Sequence, residues 1–474
     1  MGKQQVVFFM IKTKFVKLML SSLVLAGIFL ISASSGLLIS NDSFLVEEIL
    51  GSTDGADGKD GEFDLNIVGN DLYVVWVYME GSGMYSPKDS MLYFSQRSGS
   101  GVWSPPVIIS QNENFEHPRI VAYYSQENGL LLHVFYHLFN SPTLYYTSST
   151  DGVTWSDPQA LATYYYSIRN YDVVVDASGT VHLVVQGQNQ YQKVKIYYLT
   201  KELGQTWSDA TVAIESTLYD SRVPRLSFST NLEGETILYV AYEERDYEMY
   251  QRDLSRINLF THHPTNGWQL LSNVTSWIDR GPSPTDLLLY NNFLHISFWN
   301  TPVGQENSQP ALVRYNQATN QSSEVVYGTS TDGTEYSDTL LLAINQGKVG
   351  LFWAHSYYFI KVAIYDELDR LTQTPVYINQ SDYVTEDFFA LATDSQGKIS
   401  ILWSKLAGDY KLFVLLGWQI PDLSATADSN SSSQDTSNGG SSSTGDDIST
   451  SPGFVVGMGI LSSLLVFYIV RKRY

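Results

Sequence analysis

Seven charged residues of this chain each stand directly before an apolar run: Asp64, Arg119, Asp172, Arg225, Asp286, Asp338 and Asp387. Brought to one place, five carboxylates and two guanidiniums have two uses. They can pair with one another around a water-filled opening, which needs no ligand. They can also form a polar funnel for a sugar or another hydroxylated or acidic ligand. Both readings stand on the sequence alone. The elements that position the seven decide whether they meet.

The stretch Tyr171–Gln186, YDVVVDASGTVHLVVQ, shows the element. An acid opens an apolar strand, a Ser-Gly turn reverses the chain, and a second apolar strand returns. The same pattern recurs with second strands ending at Trp76, Tyr136, Gln186, Tyr242, Trp299, Trp353 and Trp403, at spacings of 60, 50, 56, 57, 54 and 50 residues. That period is the length of a four-stranded propeller blade. Third and fourth strands follow most hairpins, as in TLYYTSSTDGVTWSDPQAL of the second unit. The expected fold is therefore all-β: a β-propeller over residues 41–421, with seven four-stranded blades and six as the alternative. The seventh unit stops one strand short, and FLVEEIL at Phe44–Leu50 is the donor that closes the ring and removes two sheet edges. The innermost strands line the axial channel, so the seven charged residues are expected to form a ring at one mouth. Asp172→Ala is expected to leave folding largely intact while altering ligand binding.

The loops joining second to third strands open onto the same face. They carry Tyr78, Tyr85, His137, Gln186, Gln188, Glu243, Glu244, Arg245, Asn300, His355, Tyr357 and Tyr358. Aromatic faces beside amides and carboxylates suit carbohydrate, because sugar rings stack while their hydroxyls need paired hydrogen-bond partners. Glu243, Glu244, Arg245, His355 and Tyr357 are the candidate ligand-binding residues of these loops.

Two turns carry a recognisable motif. Ser149-Thr-Asp151-Gly152-Val-Thr154-Trp155 and Thr200-Lys-Glu202-Leu-Gly204-Gln-Thr-Trp207 resemble the Asp boxes of sialidase-like, BNR-type propellers, and Ser330-Thr-Asp332-Gly-Thr-Glu-Tyr336 is a degenerate third copy. The carboxylate and hydroxyl hold backbone amides of a tight turn, and glycine supplies the unusual dihedral. The resemblance implies the propeller fold; Asp boxes also occur in many non-enzymes. Sialidase chemistry would further demand three arginines clamping a carboxylate, a Tyr–Glu nucleophile pair and an Asp acid. Arg119, Arg225 and one of Arg169, Arg222 or Arg245 could supply the clamp. The opening Arg-Ile-Pro motif of those enzymes is absent, and His117-Pro-Arg119-Ile and Val223-Pro-Arg225-Leu stand instead.

Other chemistry is sparse. No cofactor is required by any motif. Asp54, Asp57 and Asp60 on a Gly-rich loop offer oxygen ligands of the kind Ca²⁺ takes, though not at EF-hand spacing, and an exposed polar turn is the plainer reading. His182 and His295 share one slot in two second strands, which is expected from packing; His262-His263 stand alone, and no zinc site follows. There is no P-loop, dinucleotide fingerprint, Gly-x-Ser-x-Gly elbow or cysteine nucleophile. With 28 basic and 49 acidic residues the net charge is −21, the wrong sign for a phosphate-tracking surface, so nucleic acid is not an expected partner.

The ends point outward. Residues 1–36 read as a signal peptide or N-terminal anchor, with Lys12, Lys14 and Lys17 before an apolar run and SASSG after it. Residues 422–451 are rich in Ser, Thr, Gly and Asp and read as a disordered stalk. In residues 452–474, Pro452-Gly-Phe454 starts 17 apolar or small residues that end at Arg471-Lys-Arg473, a transmembrane anchor that would leave the bulk of the chain outside. This tail is similar to the Pro-Gly-Phe sorting signals of archaeal surface proteins, which implies replacement of the segment by a lipid. Sequons at Asn41, Asn273, Asn320, Asn379 and Asn430 fit a glycosylated exterior. The expectation is a cell-surface propeller that binds glycans or extracellular protein partners on its axial face, with a sialidase-type exo-glycoside hydrolase as the alternative.

Overall fold

The computed structural model describes residues 45–49, 63–79, 90–139, 141–163, 170–188, 193–246, 254–279, 282–300, 308–328, 339–345, 347–355, 359–366, 371, 375–378, 384–407 and 409–418. Within them the alternation of Tyr171–Gln186 becomes an antiparallel hairpin, with Tyr171–Val175 paired to Val181–Gly187 and Asp172 opposite Val184. The turn is held by Asp176, whose Oδ1 accepts the N–H groups of Ser178 and Thr180, each at 2.9 Å. Gly179 sits there at φ 83°, and a Cβ on it would lie 2.7 Å from the Tyr123 ring of the preceding unit. Only glycine meets both demands. His182 and His295 are buried as expected of packing residues, and His182 lies between the Tyr198 hydroxyl at 2.7 Å and Asp176 at 3.2 Å.

Seven such hairpins seed seven antiparallel sheets, so the seven-bladed reading holds and the six-bladed alternative does not. The inner strands are Phe63–Val68, Phe115–Ser125, Tyr171–Val175, Asp220–Thr230, Pro284–Tyr290, Leu340–Asn345 and Val384–Thr393. Apolar side chains on both faces of each sheet pack against the neighbouring blades. Between blades one and two, for example, Val75, Leu92 and Phe94 meet Ile120, Leu132 and Val134. The turn tryptophans reach across the same seams: Trp155 packs edge-on to Phe94 at 5.2 Å, and Trp207 to Tyr146 at 5.2 Å.

The Asp box of Ser149–Trp155 does the local work expected of it. Asp151 Oδ1 accepts the N–H groups of Val153 and Thr154 at 2.8 and 2.7 Å, and Ser149 Oγ accepts that of Gly152 at 2.9 Å. These bonds, led by that from Thr154, hold the exposed Asp151 carboxyl down at about 2. The second box closes differently, by Gln205 N–H donating to the Glu202 carbonyl. The third copy, Ser330–Tyr336, lies outside the described residues.

The ring closes as the missing strand predicts. Leu45–Glu48 pairs with Asp409–Trp418 as the outer strand of blade seven. Its Glu47 is then gripped by blade one: Arg97 Nε and Nη2 donate to the two carboxylate oxygens at 2.8 Å each, and Trp103 Nε1 donates at 2.7 Å. The Arg97 bond, opposed by burial, holds the Glu47 carboxyl below its ordinary range. Beneath it Ile49 joins Leu65, Val74 and Trp76 of blade one to Leu402 and Val414 of blade seven. The first and last strands thus lock one seam.

Among the described residues no helix is long and apolar enough to cross a membrane. Residues 1–36 and 422–474, with the expected leader, stalk and anchor, lie outside them. Asp54, Asp57, Asp60, Asn41, Asn379 and Asn430 do too, whereas Asn273 and Asn320 are exposed on the blades.

The closing seam gives a test. Glu47→Ala should lower stability by about 2–3 kcal/mol, because it strands a guanidinium that is 14% exposed and an indole N–H. Urea midpoints of Glu47→Ala, Arg97→Ala and the double variant should show strong non-additivity; simple addition would mean the seam does not depend on this pair.

Candidate functional site

At the axis the inner strands enclose a cavity of about 1080 Å³ whose wall includes Asp64, Arg119, Asp172, Arg225 and Asp286. Its existence follows from the strand geometry. The inner strand of each blade pairs on one side only, so alternate N–H groups on its free edge face the channel and need an acceptor.

Three carboxylates meet that need in the same way. Asp64 Oδ2 accepts the Ile120 N–H at 2.9 Å, Asp172 Oδ2 that of Leu226 at 2.8 Å, and Asp286 Oδ2 that of Leu342 at 2.8 Å. Each bond runs from blades one, three and five to the next blade. In Asp172 and Asp286 the other oxygen accepts the following residue's own N–H, from Val173 at 3.0 Å and Leu287 at 2.8 Å. These carboxylates are therefore tied twice to backbone.

The intervening blades place arginine in the slot. Arg119 opposes Phe135 and approaches Asp64 to 3.6 Å, with 38% of its side chain exposed. Arg225 opposes Ala241 and donates Nε to the Thr285 carbonyl at 2.6 Å and Nη1 to the Pro224 carbonyl at 2.9 Å. Burial pulls both guanidiniums toward lower pKa. For Arg119 the carboxylates of Asp64, Asp172 and Asp286 outweigh it and hold the value above the ordinary one, while Arg225 is left below. Burial raises Asp64, against the pull of Arg119, and pushes Asp286 up to about 6.

The structure brings together five of the seven predicted ring residues. In blades six and seven the strand register moves the slot. Leu341, opposite Phe352, and Ala390, opposite Leu402, stand where acids were expected. Asp338 lies outside the described residues, and Asp387 sits on its strand within the irregular stretch between Val384 and Phe389. The aligned acid in these two units lies three residues upstream of the slot, and in blade seven the pairing irregularity between Val384 and Phe389 hides that offset from a linear reading.

The face loops are more internally engaged than their composition implied. Glu243 and Glu244 are buried. Glu243 accepts from Ser283 Oγ at 2.6 Å and lies 3.7 Å from Arg245; Glu244 accepts from Arg256 at 2.6 Å and from Asn258 at 3.0 Å. Gln186 Oε1 accepts the Val223 N–H of the next blade at 2.9 Å. His355 ends the second strand of blade six, and Tyr357 is outside the described residues. Beside Glu244 lies a feature the sequence reading missed: Arg256 stacks 4.6 Å over Trp277, which meets Tyr219 edge-on at 4.9 Å.

A sialidase clamp is not assembled among the described residues. Arg119 and Arg225 line the cavity, but Arg222 opposes Glu243 and Arg245 lies against it, and Arg169 is outside the described set.

Asp286 carries a pH signature. Its folded pKa, raised from an ordinary 3.8 to about 6, makes a contribution to stability that is full below pH 4 and lost as pH rises to 6. Asp286→Asn should flatten that loss by about 2–3 kcal/mol in unfolding free energies from denaturant titrations compared at pH 4 and pH 7. An unchanged slope would mean that the carboxyl titrates normally.

The fold and cavity can be set beside known proteins. No curated protein sequence matches the chain. Among solved structures, a lectin of Burkholderia pseudomallei, BP39L, is similar at 11% identity and TM-score 0.49 over 74% of this chain and 98% of its own. A PL25 ulvan lyase is similar at 12% and 0.48, over 77% and 94%. A sialidase of Trypanosoma rangeli is similar at 12% and 0.41, over 68% and 57%. A profile of the BNR repeat-like domain matches residues 71–342, more than half of the chain. The chain belongs to the BNR repeat-like domain family.

Proposed function

We propose that this protein is an extracellular, membrane-anchored propeller that binds glycans at the axial mouth of its ring. The observation that carries the reading is the axial cavity. Its volume of about 1080 Å³ is that of a small-ligand site, and its wall alternates carboxylates with guanidiniums and adds Asn66, Asn170 and Tyr171. Hydroxyl-rich ligands need such paired donors and acceptors. The division of labour within the ring makes the reading specific. Asp64, Asp172 and Asp286 hold the blades, and Arg119, with 38% of its side chain exposed, offers charged surface to a ligand. An acidic or hydroxylated sugar presenting its oxygens to Arg119 fits that surface. The leader, stalk and anchor read in residues 1–36, 422–451 and 452–474 support display outside the cell.

The test is a glycan array probed with the full-length chain, followed by calorimetry on the best ligand. Arg119→Gln should weaken binding about tenfold or more with the thermal midpoint nearly unchanged. Asp172→Ala, contrary to the sequence expectation, should destabilise the fold by about 1–3 kcal/mol, because it leaves the Leu226 N–H without its acceptor. Absence of any bound glycan, or full affinity in Arg119→Gln, would contradict the proposal. Release of a fluorogenic group from a sialoside would replace it with the hydrolase reading.

A further inference from the structure

Blades two and four share an unusual entrance to the inner strand. In both, the register breaks just before the slot arginine, between Glu116 and Arg119 and between Arg222 and Arg225. In both, a non-glycine residue precedes the proline at positive φ: His117 at 49° and Val223 at 47°. Such a conformation is costly for a residue with a β-carbon and persists only when its surroundings hold it. The Tyr171 hydroxyl does so in blade two by donating to the His117 carbonyl. The two bulges are one backbone template filled with different chemistry. In blade four the cross-strand pair is Arg222 opposite Glu243, with Val223 at the bulge. In blade two it is Glu116 opposite His137, with His117 at the bulge. Blade two thus replaces a cation–anion pair with a carboxylate and two imidazoles.

The three side chains converge. One ligand atom from each of Glu116, His117 and His137 lies within 4.8 Å of the others. The two imidazole rings are 5.0 Å apart, centroid to centroid. Nδ1 of the fully buried His137 is 3.5 Å from Glu116 Oε2 and 3.4 Å from the Leu138 carbonyl oxygen. Both separations are long for a hydrogen bond, whose N–H···O distance centres on about 2.9–3.0 Å. The carboxylate distance is instead close to the edge of a tetrahedron around zinc, about 3.3–3.4 Å for bonds of about 2.0–2.1 Å. Two imidazole nitrogens and one carboxylate oxygen are the donor set of three-ligand zinc sites, which keep a coordination position open. His117 also lines the axial cavity, two residues from Arg119.

We propose that Glu116, His117 and His137 form a binding site for Zn²⁺ or a similar first-row divalent ion, at the mouth of the axial cavity. Linear motif reading misses the site because Glu116-His117 and His137 lie on separate strands, joined only by the hairpin and aimed by the bulge. The site stands on these three residues whether or not the cavity binds a glycan.

The experiment uses the full-length chain, stripped with a chelator and titrated with ZnCl₂ and, separately, CoCl₂. Elemental analysis should give one zinc per chain, and Co²⁺ should give the visible absorption of a low-coordinate site. Glu116→Gln and His117→Ala should each weaken zinc binding by about a hundredfold while circular dichroism stays that of the native β-fold. His117→Ala is the safer variant, because His137 is buried and His137→Ala tests folding as well. His263→Ala, on an outer turn, should bind zinc as the wild type does. Failure of the wild type to bind one equivalent, unchanged affinity in both Glu116→Gln and His117→Ala, or loss in His263→Ala alone would overturn the proposal.

Discussion

The structure depends on a carboxylate reaching from one blade to a backbone amide of the next. A propeller has no strand at its centre, so the inner edge of every sheet leaves N–H groups facing the channel, and each needs an acceptor or water. Asp64, Asp172 and Asp286 answer this at alternate blades, clamping Ile120, Leu226 and Leu342. Each bond ties the inner strands of two neighbouring blades together at the channel. The apolar seams supply most of the cohesion, as where Val75 and Phe94 meet Ile120 and Val134, but they are adaptable in register. The carboxylates fix it.

That role changes what the ring can do. A ring of seven free charges would be a funnel with strong local fields. The observed ring has three carboxylates bound to backbone, Arg225 bound to the Thr285 and Pro224 carbonyls, and Arg119 partly exposed over a long contact to Asp64. Part of the ring's negative charge is thus committed to backbone, while Arg119 keeps exposed surface at a mouth that looks acidic in sequence. The Glu116, His117 and His137 cluster stands beside that arginine, so both candidate chemistries concentrate on the blade-two side of the axis.

Much of this was legible because a propeller repeats. The alternating hairpin of Tyr171–Gln186 and the recurrence of its bulky or amide anchors reveal strand and blade and leave seven or six blades open, and the incomplete seventh unit points to Phe44–Leu50, of which Leu45–Glu48 pairs as the closing strand. Asp64, Asp172 and Asp286 were legible as ring members because each directly precedes the apolar run of its inner strand, even in blade five, where the pairing shifts between Pro284 and Asp286. Asp338 and Asp387 were aligned by the same rule, yet the register places Leu341 and Ala390 there; an acid before an apolar run cannot reveal how many residues separate it from the slot, and in blade seven an irregular stretch intervenes. Glu243 and Glu244 looked like exposed loop acids, but their burial depends on Ser283, Arg256 and Asn258, which are distant or on another strand. The Glu47–Arg97–Trp103 lock joins residues about fifty positions apart, and no local pattern encodes it.

Amide hydrogen exchange at Ile120, Leu226 and Leu342 tests the central claim most directly. The account predicts that these three channel-facing amides, despite lying on unpaired inner edges, exchange only as slowly as the paired core strands, through global opening. Exchange at the rate of exposed edge amides would contradict it, and the carboxylates would then be solvent-facing groups of the cavity rather than the ties that hold the ring.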